Sequence, residues 1–546
     1  MCEIDDLLSS FFATLPGTPD HVHISDDGAQ PIYDHAGDRW PAELNRWIEA
    51  TWLNLAELEK LSERERCQRM AMAIEARRRA QPMLAARAEV EQQRADAWRA
   101  VPQVTEHYAV TVDRIPPSLH CEIVRNRAQI EAWRTQLAVD APDDLSQHPH
   151  LVVDTRHFDE AFRNRLLKAL GNFDSQLDGI AIHGENFAAL TWLAAQHVDP
   201  IRCVFIDPPY NTGSGVWTYD DRLARETWRV MMRDRLRAAH ALLSDDGAMF
   251  VSLDDHEHAT LHVLMEEVFG AENFLATIIW EKVHTRKNSA RHFSVSHDYI
   301  PAFSKDRRLW KRELLPREET SAYTNPDDDP RGPWKLDPVY ANKPYAADYT
   351  IRKPNGVVLH RPSGRYWRFS RETFDQKAAD GAVVWGEDDA WPMVKRYLAD
   401  VQDGLVPTTL FTREFAGDNA RANAELAAMF GRSRPVSYPK PSLLVRRIVQ
   451  IATSPTSRDT VLDFFAGSGT TAQAVIDQNR IDQNRSDRTN GVQANRRWIV
   501  VEKDDVFDTV LVPRIVKSVY SDAWKDGKPV APRGVSQLFK IVKLRA

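Results

Sequence analysis

The apolar run Cys203-Val204-Phe205-Ile206 ends abruptly on Asp207-Pro208-Pro209-Tyr210, and no other feature of the chain restricts its fold so tightly. Such a run, closed by two residues without N–H donors, describes a short buried strand stopped by a stiff loop. A second strand of the same kind, Val461-Leu462-Asp463, breaks into Phe464-Phe465-Ala466-Gly467-Ser468-Gly469-Thr470-Thr471, a glycine turn that opens a helix. Buried strands linked by helices imply an α/β protein built on a central sheet.

The residues around these two runs fit βα units. Gly179 to His183 reads as a strand followed by a helix from Asn186 to Gln196. Arg202 to Ile206 is the next strand, and an amphipathic helix from about Glu226 to Leu243 ends at Ser244-Asp245-Asp246-Gly247. A strand over Ala248–Leu253, a helix to Phe269 and a strand over Thr277–Trp280 complete this half. From about 305 to 430 the pattern is irregular and aromatic, with a hairpin from Tyr349 to Leu359 turning on Asn355-Gly356. The α/β texture resumes near Tyr438 and runs to Val516. Residues 38–140 read as helical, with Leu53, Leu55, Leu58 and Leu61 as an apolar stripe and Pro82 splitting Glu63–Arg99 into two helices. Arg77-Arg78-Arg79 reads as a solvated face, and the tandem pentapeptide Ile476–Arg480, Ile481–Arg485 as an expanded surface loop.

At 546 residues the chain exceeds one hydrophobic core, so two to four domains are expected. Its net charge of -7 weighs against a uniformly basic nucleic-acid binder without excluding DNA. Cys2, Cys67, Cys121 and Cys203 form no C-x-x-C pair, which argues against a zinc ribbon or a disulfide framework and fits a reducing cytosol. Neither a signal peptide nor an apolar run of about 20 residues is present, so a soluble, cytoplasmic protein is expected. His258 and His262 stand one helical turn apart, but no third ligand accompanies them; a surface helix and no metal are expected.

The exocyclic amino nitrogen of a base is a poor nucleophile, because its lone pair is delocalised into the ring. A site acting on it must hold the amine with acceptors. Asp207 offers a carboxylate, Pro208 a carbonyl, and Pro209 stiffens the loop; Tyr210 offers a flat face to a base extruded from a duplex. Alignment of the reacting atoms could then contribute about 7–11 kcal/mol. Gly467 and Gly469 permit close backbone approach to a ligand at a helix N-terminus. Asp463 can accept from a cationic amino group, and Glu502, after the strand Trp498-Ile499-Val500-Val501, suits ribose hydroxyls. The glycine turn also fits the dinucleotide pattern G-x-G-x-x-A, a reading that leaves Asp207-Pro208-Pro209-Tyr210 without a role.

The chain resembles the β-class DNA amino-methyltransferases, in particular the Mod subunits of type III restriction-modification systems. The likeness runs from about Leu151 to Leu544. It rests on Leu151-Val152-Val153-Asp154-Thr155-Arg156-His157-Phe158-Asp159, His183-Gly184-Glu185-Asn186, and Asp207-Pro208-Pro209-Tyr210-Asn211-Thr212-Gly213. Further blocks are Leu242–Gly247, Ser296-His297-Asp298-Tyr299, Pro439-Lys440-Pro441 and the glycine turn. The resemblance implies a circularly permuted Rossmann-like S-adenosylmethionine-dependent methyltransferase sheet. A mainly helical region (1–145) would precede a catalytic half (146–304), an inserted α+β target-recognition domain (305–430) and a cofactor-binding half (431–546).

It also implies roles. Asp207 and Pro208 would bind the target amine and Tyr210 would stack on the base. Asp463, Phe465, Gly467, Gly469, Thr470 and Glu502 would line the S-adenosylmethionine pocket, with Glu185 and Asn186 at its adenine and Lys440 and Pro441 at its methionine end. Asp at the first position of that tetrapeptide favours adenine N6; cytosine N4 is the alternative, and a catalytically silent DNA-binding subunit a further one. Double-stranded DNA is the expected partner, with a restriction or other defence-system subunit and a second copy of the chain (a homodimer) as further candidates. Within 305–430, Trp334, Tyr340, Tyr345, Arg365, Tyr366, Trp367 and Arg368 interleave aromatics with cations, as DNA contact would require, although core packing is the simpler expectation for most of the aromatics. Lys305, Arg307, Arg308, Lys311 and Arg312 form a basic cluster suited to phosphates.

Overall fold

Period-two alternation along the apolar strands decides which helices cover each face of the sheet. The computed structural model describes residues 22–24, 31–33 and 40–545, except 100–102, 197, 214–222, 224, 317–320, 345–346, 388–389, 401–403, 432–435 and 490–494. It forms two units, one of residues 1–313 with 408–546 and one of 314–407.

After the short antiparallel pair Val22–Ile24 and Pro31–Tyr33, the larger unit carries helices α1 (Trp40–Trp52) and α2 (Glu63–Arg99) and strands β1 (Gln103–Thr111) and β2 (Val152–Asp154). Next come β3 (Gly179–His183), α3 (Asn186–Ala195), β4 (Ile201–Ile206), α4 (Arg225–Leu242), β5 (Leu243–Val251) and α5 (His258–Phe269). The pair β6 (Phe274–Glu281) and β7 (His297–Ser304) follows. Beyond the smaller unit lie β8 (Leu410–Phe411), α6 (Ser442–Ala452), β9 (Thr460–Asp463) and α7 (Thr470–Thr489). The chain then adds β10 (Arg497–Glu502), α8 (Val512–Tyr520) and β11 (Leu538–Arg545).

These eleven strands join one sheet in the order β8-β6-β7-β5-β4-β9-β10-β3-β11-β1-β2. The centre, from β5 to β11, is parallel. Antiparallel strands flank it, β7 and β6 on one side and β1 and β2 on the other. On one face Val204, Ile206, Met249, Val251, Leu462 and Val501 meet Leu190, Trp228, Leu236, Leu261 and Met265 of α3, α4 and α5 in a single core. The intervening residues Cys203, Phe205, Val461 and Val500 are equally buried on the opposite face, which α6 and α7 cover.

Three expectations are corrected. Residues 103–111 form strand β1 of the main sheet, not helix; Val104, Tyr108 and Val110 fall at even spacing in a stretch rich in β-branched and aromatic residues, which suits a strand. Helix α2 runs unbroken past Pro82. That proline is exposed, so the carbonyl it displaces can turn to water while Ala76, Ala80 and Leu84 stay packed on Leu44 and Ile48 of α1. The tandem pentapeptide lies within α7, and its first copy is core: Gln478 and Asn479 are buried, and Asn479 exchanges hydrogen bonds with the backbone of Arg496.

Arg78 and Arg79 of the basic run both pair with Glu75. Among the described residues no helix is long and apolar enough to cross a membrane.

The smaller unit holds a three-stranded antiparallel sheet around Trp334–Pro338, Met393–Tyr397 and Val383–Val384. The expected hairpin is present, pairing Ile351 with Leu359 across Gly356, whose φ of +88° only glycine adopts without strain.

Candidate active site

Strands β4 and β9 lie side by side and parallel, Cys203 opposite Val461 and Val204 opposite Leu462. Both therefore deliver a carboxylate, Asp207 and Asp463, to the same end of the sheet. From β4 the chain passes through α4 to β5 on one side, whereas from β9 it passes through α7 to β10 on the other. A crevice opens where strand connections diverge in this way.

On the β4 side, Asp207 Oδ2 accepts from Lys440 Nζ at 2.6 Å, while Oδ1 is buried without a hydrogen-bond partner among the described residues. The Lys440 ammonium also lies 5.0 Å from the ring centre of Tyr210 and 5.9 Å from that of Trp280. It thus occupies the space beside the tyrosine face. The loop that carries these groups is fixed from behind: Trp228 Nε1 donates to the carbonyl of Pro209 at 2.9 Å, and Pro208 is buried.

The Tyr210 hydroxyl lies 2.8 Å from Ser252 Oγ and donates to Asp298 Oδ2 at 3.1 Å; Asp298 in turn accepts from Lys282 Nζ at 2.5 Å. Burial, with the charges of Asp207 and Asp298 adding to it, pushes the Tyr210 phenol well above its ordinary range. The phenol therefore stays neutral.

On the β9 side, Gly467 and Gly469 adopt φ of +49° and +79°. A Cβ on Gly469 would stand 3.0 Å from Leu511 Cγ. Glu502 holds the turn: Oε2 accepts from the Gly467 amide at 2.9 Å, and Oε1 from those of Lys503 and Asp504 at 2.8 and 3.0 Å. Asp463 accepts from the Phe465 amide and the Thr471 hydroxyl. Its carboxyl is pushed up to about 7, chiefly by burial, with the Asp207 and Glu502 charges adding. Thr470 Oγ1 donates to the carbonyl of Lys440 at 3.3 Å, so the lysine that grips Asp207 is also tied to the glycine turn. Pro441 is the residue from which α6 starts.

Glu185 caps α3, accepting from the Ala188 amide at 2.9 Å, and Asn186 donates to the carbonyl of Phe464 at 3.1 Å. These residues close the crevice on the β3 side. Arg235, which the sequence did not single out, donates to Glu185 Oε1 and Asn186 Oδ1 at 2.5 Å each. Arg514 was missed as well. Fully buried on α8, it donates to Ser468 Oγ, Thr470 Oγ1 and Gln473 Oε1 at 2.7–2.8 Å, and burial pulls its guanidinium down to about 10. A lone arginine inside the apolar stretch Val510–Val516 was the available signal.

Of the expected DNA contacts, those of the larger unit do not gather at this crevice. Lys305 donates to the carbonyl of Leu243, where β5 begins, so Lys305, Arg307 and Arg308 lie at the opposite end of the strands from Asp207. Arg308 is held by Asp306 in any case. In the smaller unit Trp367 is a correction: it is fully buried, donates to the carbonyl of Tyr349 and belongs to that unit's core. Arg365 is exposed, and Arg368 pairs with Asp337. Tyr345 lies outside the described residues. His258 packs on Tyr299 and His262 against Phe303; among the described residues no three candidate ligands converge.

A permuted sheet with these two motifs at its switch point defines a nucleotide-cofactor transferase fold, and comparison with known proteins places it further. The family model N6_N4_Mtase, DNA methylase, matches residues 201–507, and the chain belongs to that family. The chain is 30% identical over 330 residues to the Mod subunit of the type III restriction-modification enzyme StyLTI of Salmonella typhimurium, covering 54% of this chain and 49% of that one. It is 25% identical over 415 residues to the probable HindVI Mod subunit of Haemophilus influenzae, covering 64% and 53%. The type II methyltransferase M.KpnI of Klebsiella pneumoniae is 28% identical over 351 residues, 58% of this chain and 80% of that one. The chain spans about half the length of these two Mod subunits.

Proposed function

We propose that this chain transfers a methyl group from S-adenosylmethionine to the exocyclic N6 of adenine at a specific site in double-stranded DNA, as the modifying component of a restriction-modification or phage-defence system. The family and the names of its relatives, Mod subunits and a type II methyltransferase, support the reading. One observation carries it: Asp207 and the Gly467–Gly469 turn, far apart in sequence, flank one crevice and are tied through Lys440.

The residues suit the cofactor. Gly467 and Gly469 take up left-handed backbone that lets the turn present its main chain to a ligand at the start of α7. Asp463, Phe465, Gly467, Gly469, Thr470 and Glu502 would hold it, with Glu185 and Asn186 toward its adenine and Lys440 and Pro441 toward its methionine end. When bound, S-adenosylmethionine supplies an electrophilic methyl group. Asp207 and the Pro208 carbonyl would accept the two N–H groups of the target amine, leaving its lone pair directed at that methyl group. As the N–C bond forms and the S–C bond breaks the nitrogen becomes cationic, and Asp207 is placed to take the proton it then gives up and pass it to solvent. Oδ1 of Asp207 has no partner among the described residues, and Lys440 must release Oδ2 or share it. Tyr210, anchored through Asp298 and Ser252, presents its ring to the extruded base.

Nucleoside analysis of DNA methylated by the chain is the direct test: N6-methyladenine is expected. N4-methylcytosine would replace the adenine assignment, and DNA binding without methyl transfer would make the chain a silent subunit. A second expectation concerns protons. A cationic amino group near Asp463 lowers its carboxyl pKa from about 7, so cofactor binding near pH 6.5 should release protons, and the release should fade by pH 9, where the carboxyl is already ionised. Calorimetry in buffers of different ionisation enthalpy measures this; proton uptake would contradict the placement.

A further inference from the structure

From Val283 to Ser296 the chain leaves the sheet between β6 and β7 and returns. The loop is pinned at its root, where the amides of Lys282 and Val283 both donate to the carbonyl of Ser296 at 3.0 and 3.2 Å. Below the root, the register pairs Trp280 with Asp298. These two residues wall the candidate active site: Asp298 accepts from Tyr210 and Lys282, and the Lys440 ammonium lies over Trp280. Farther out the loop draws together again, with the Lys287 amide donating to Ser294 Oγ at 2.8 Å.

Phe293 stands on this outer part at 90% exposure, with Val295 at 49%. From Lys282 to His297 the sequence holds Lys282, Arg286, Lys287 and Arg291 and not one carboxylate, in a chain whose net charge is -7. Lys282 is spent on Asp298, whereas Arg286, Lys287 and Arg291 are exposed. A phenyl ring held in water among cations gains nothing for the folded chain. It suits a partner with anionic edges and stacked aromatic interior, and duplex DNA has that chemistry. The position adds a requirement: extruding a base toward Tyr210 leaves a gap in the stack, which an apolar side chain fills in many proteins that distort DNA.

We propose that the loop 283–296 enters the duplex beside the target adenine, Phe293 filling the vacated space while Arg286, Lys287 and Arg291 contact the flanking phosphates. This rests on the methyltransferase reading above. The test uses the full chain and duplexes bearing its site, located by sequencing modified bases in DNA from cells that express it. One duplex is fully paired; in the other the target adenine faces an abasic position and is already loosened.

Phe293→Ala is expected to lower kcat/KM about 30-fold on the paired duplex but no more than about threefold on the loosened one. Phe293→Trp, which keeps a stacking face, should stay near wild type on both. Replacing Arg286, Lys287 and Arg291 together with alanine should reduce the salt dependence of binding by about three counterions. Equal activity of Phe293→Ala and wild type on both duplexes, an equal loss on both, or an unchanged salt slope would overturn the loop proposal while the wild-type turnover leaves the methylation reading standing. A wild-type chain that methylates no DNA would remove that reading, and this proposal with it.

Discussion

Replacing Asp207 with alanine is expected to lower kcat for methyl transfer about a thousandfold while changing cofactor affinity by less than about threefold. The side chain sits at the end of β4 with one oxygen on Lys440 and the other buried without a partner among the described residues. Its removal deletes the acceptor that fixes the amine, an interaction strengthened as the nitrogen takes on positive charge while its bond to the methyl group forms. The cofactor turn hangs from β9 and Glu502 and should survive. Asp463 offers an internal check, because the Asp207 charge helps to raise its carboxyl pKa. In the alanine variant that pKa should fall, so proton release on cofactor binding should shift to lower pH. Single-turnover rates and calorimetry separate the two quantities. A variant that keeps kcat within tenfold would remove Asp207 from the chemistry.

Gly179→Ala should be the most damaging single methyl group in the sheet. Gly179 lies on β3 in register with Trp498 on β10 and Phe539 on β11. The two rings meet over it with centroids 5.4 Å apart. A Cβ at Gly179 would stand 2.0 Å from Trp498 Cε2, and Trp498 is itself buried, so neither ring has anywhere to go. A loss of about 3 kcal/mol or more is expected, at the upper end for overpacking a core. Urea midpoints measure it. Adding Trp498→Leu should recover part of the loss, whereas simple addition of the two single effects would show that the indole is not the obstacle.

What the sequence disclosed follows from the range of the forces involved. Strands β3 and β4 and helices α3 and α4 were legible within one or two residues, because apolar runs bounded by Pro, Gly and Asp are local signals. The two loops of the site were legible for the same reason. Residues that act across the fold were not. Arg235 and Arg514 matter through partners some fifty residues distant, and surface arginines have the same local appearance.

Periodicity also misled. The repeated pentapeptide suggests a loop expansion, yet five residues advance about 140° around a helix, so the copies face different ways. Asn479 of the first copy is core and Asn484 of the second is exposed. Trp367 illustrates the converse: an aromatic flanked by arginines looked available for DNA, but its ring completes the smaller unit's core.

Strand β11 slots between β3 and β1, pairing with both. Ribosomes therefore extrude Gln103–Thr111 and Gly179–His183 long before the neighbour they share. Until Leu538–Arg545 emerges, each keeps a row of unsatisfied backbone donors and acceptors along one side, the geometry through which half-made chains capture one another. The sheet is thus sealed by a segment made long after its two neighbours, and holding factors that shield nascent edges have work to do until it appears.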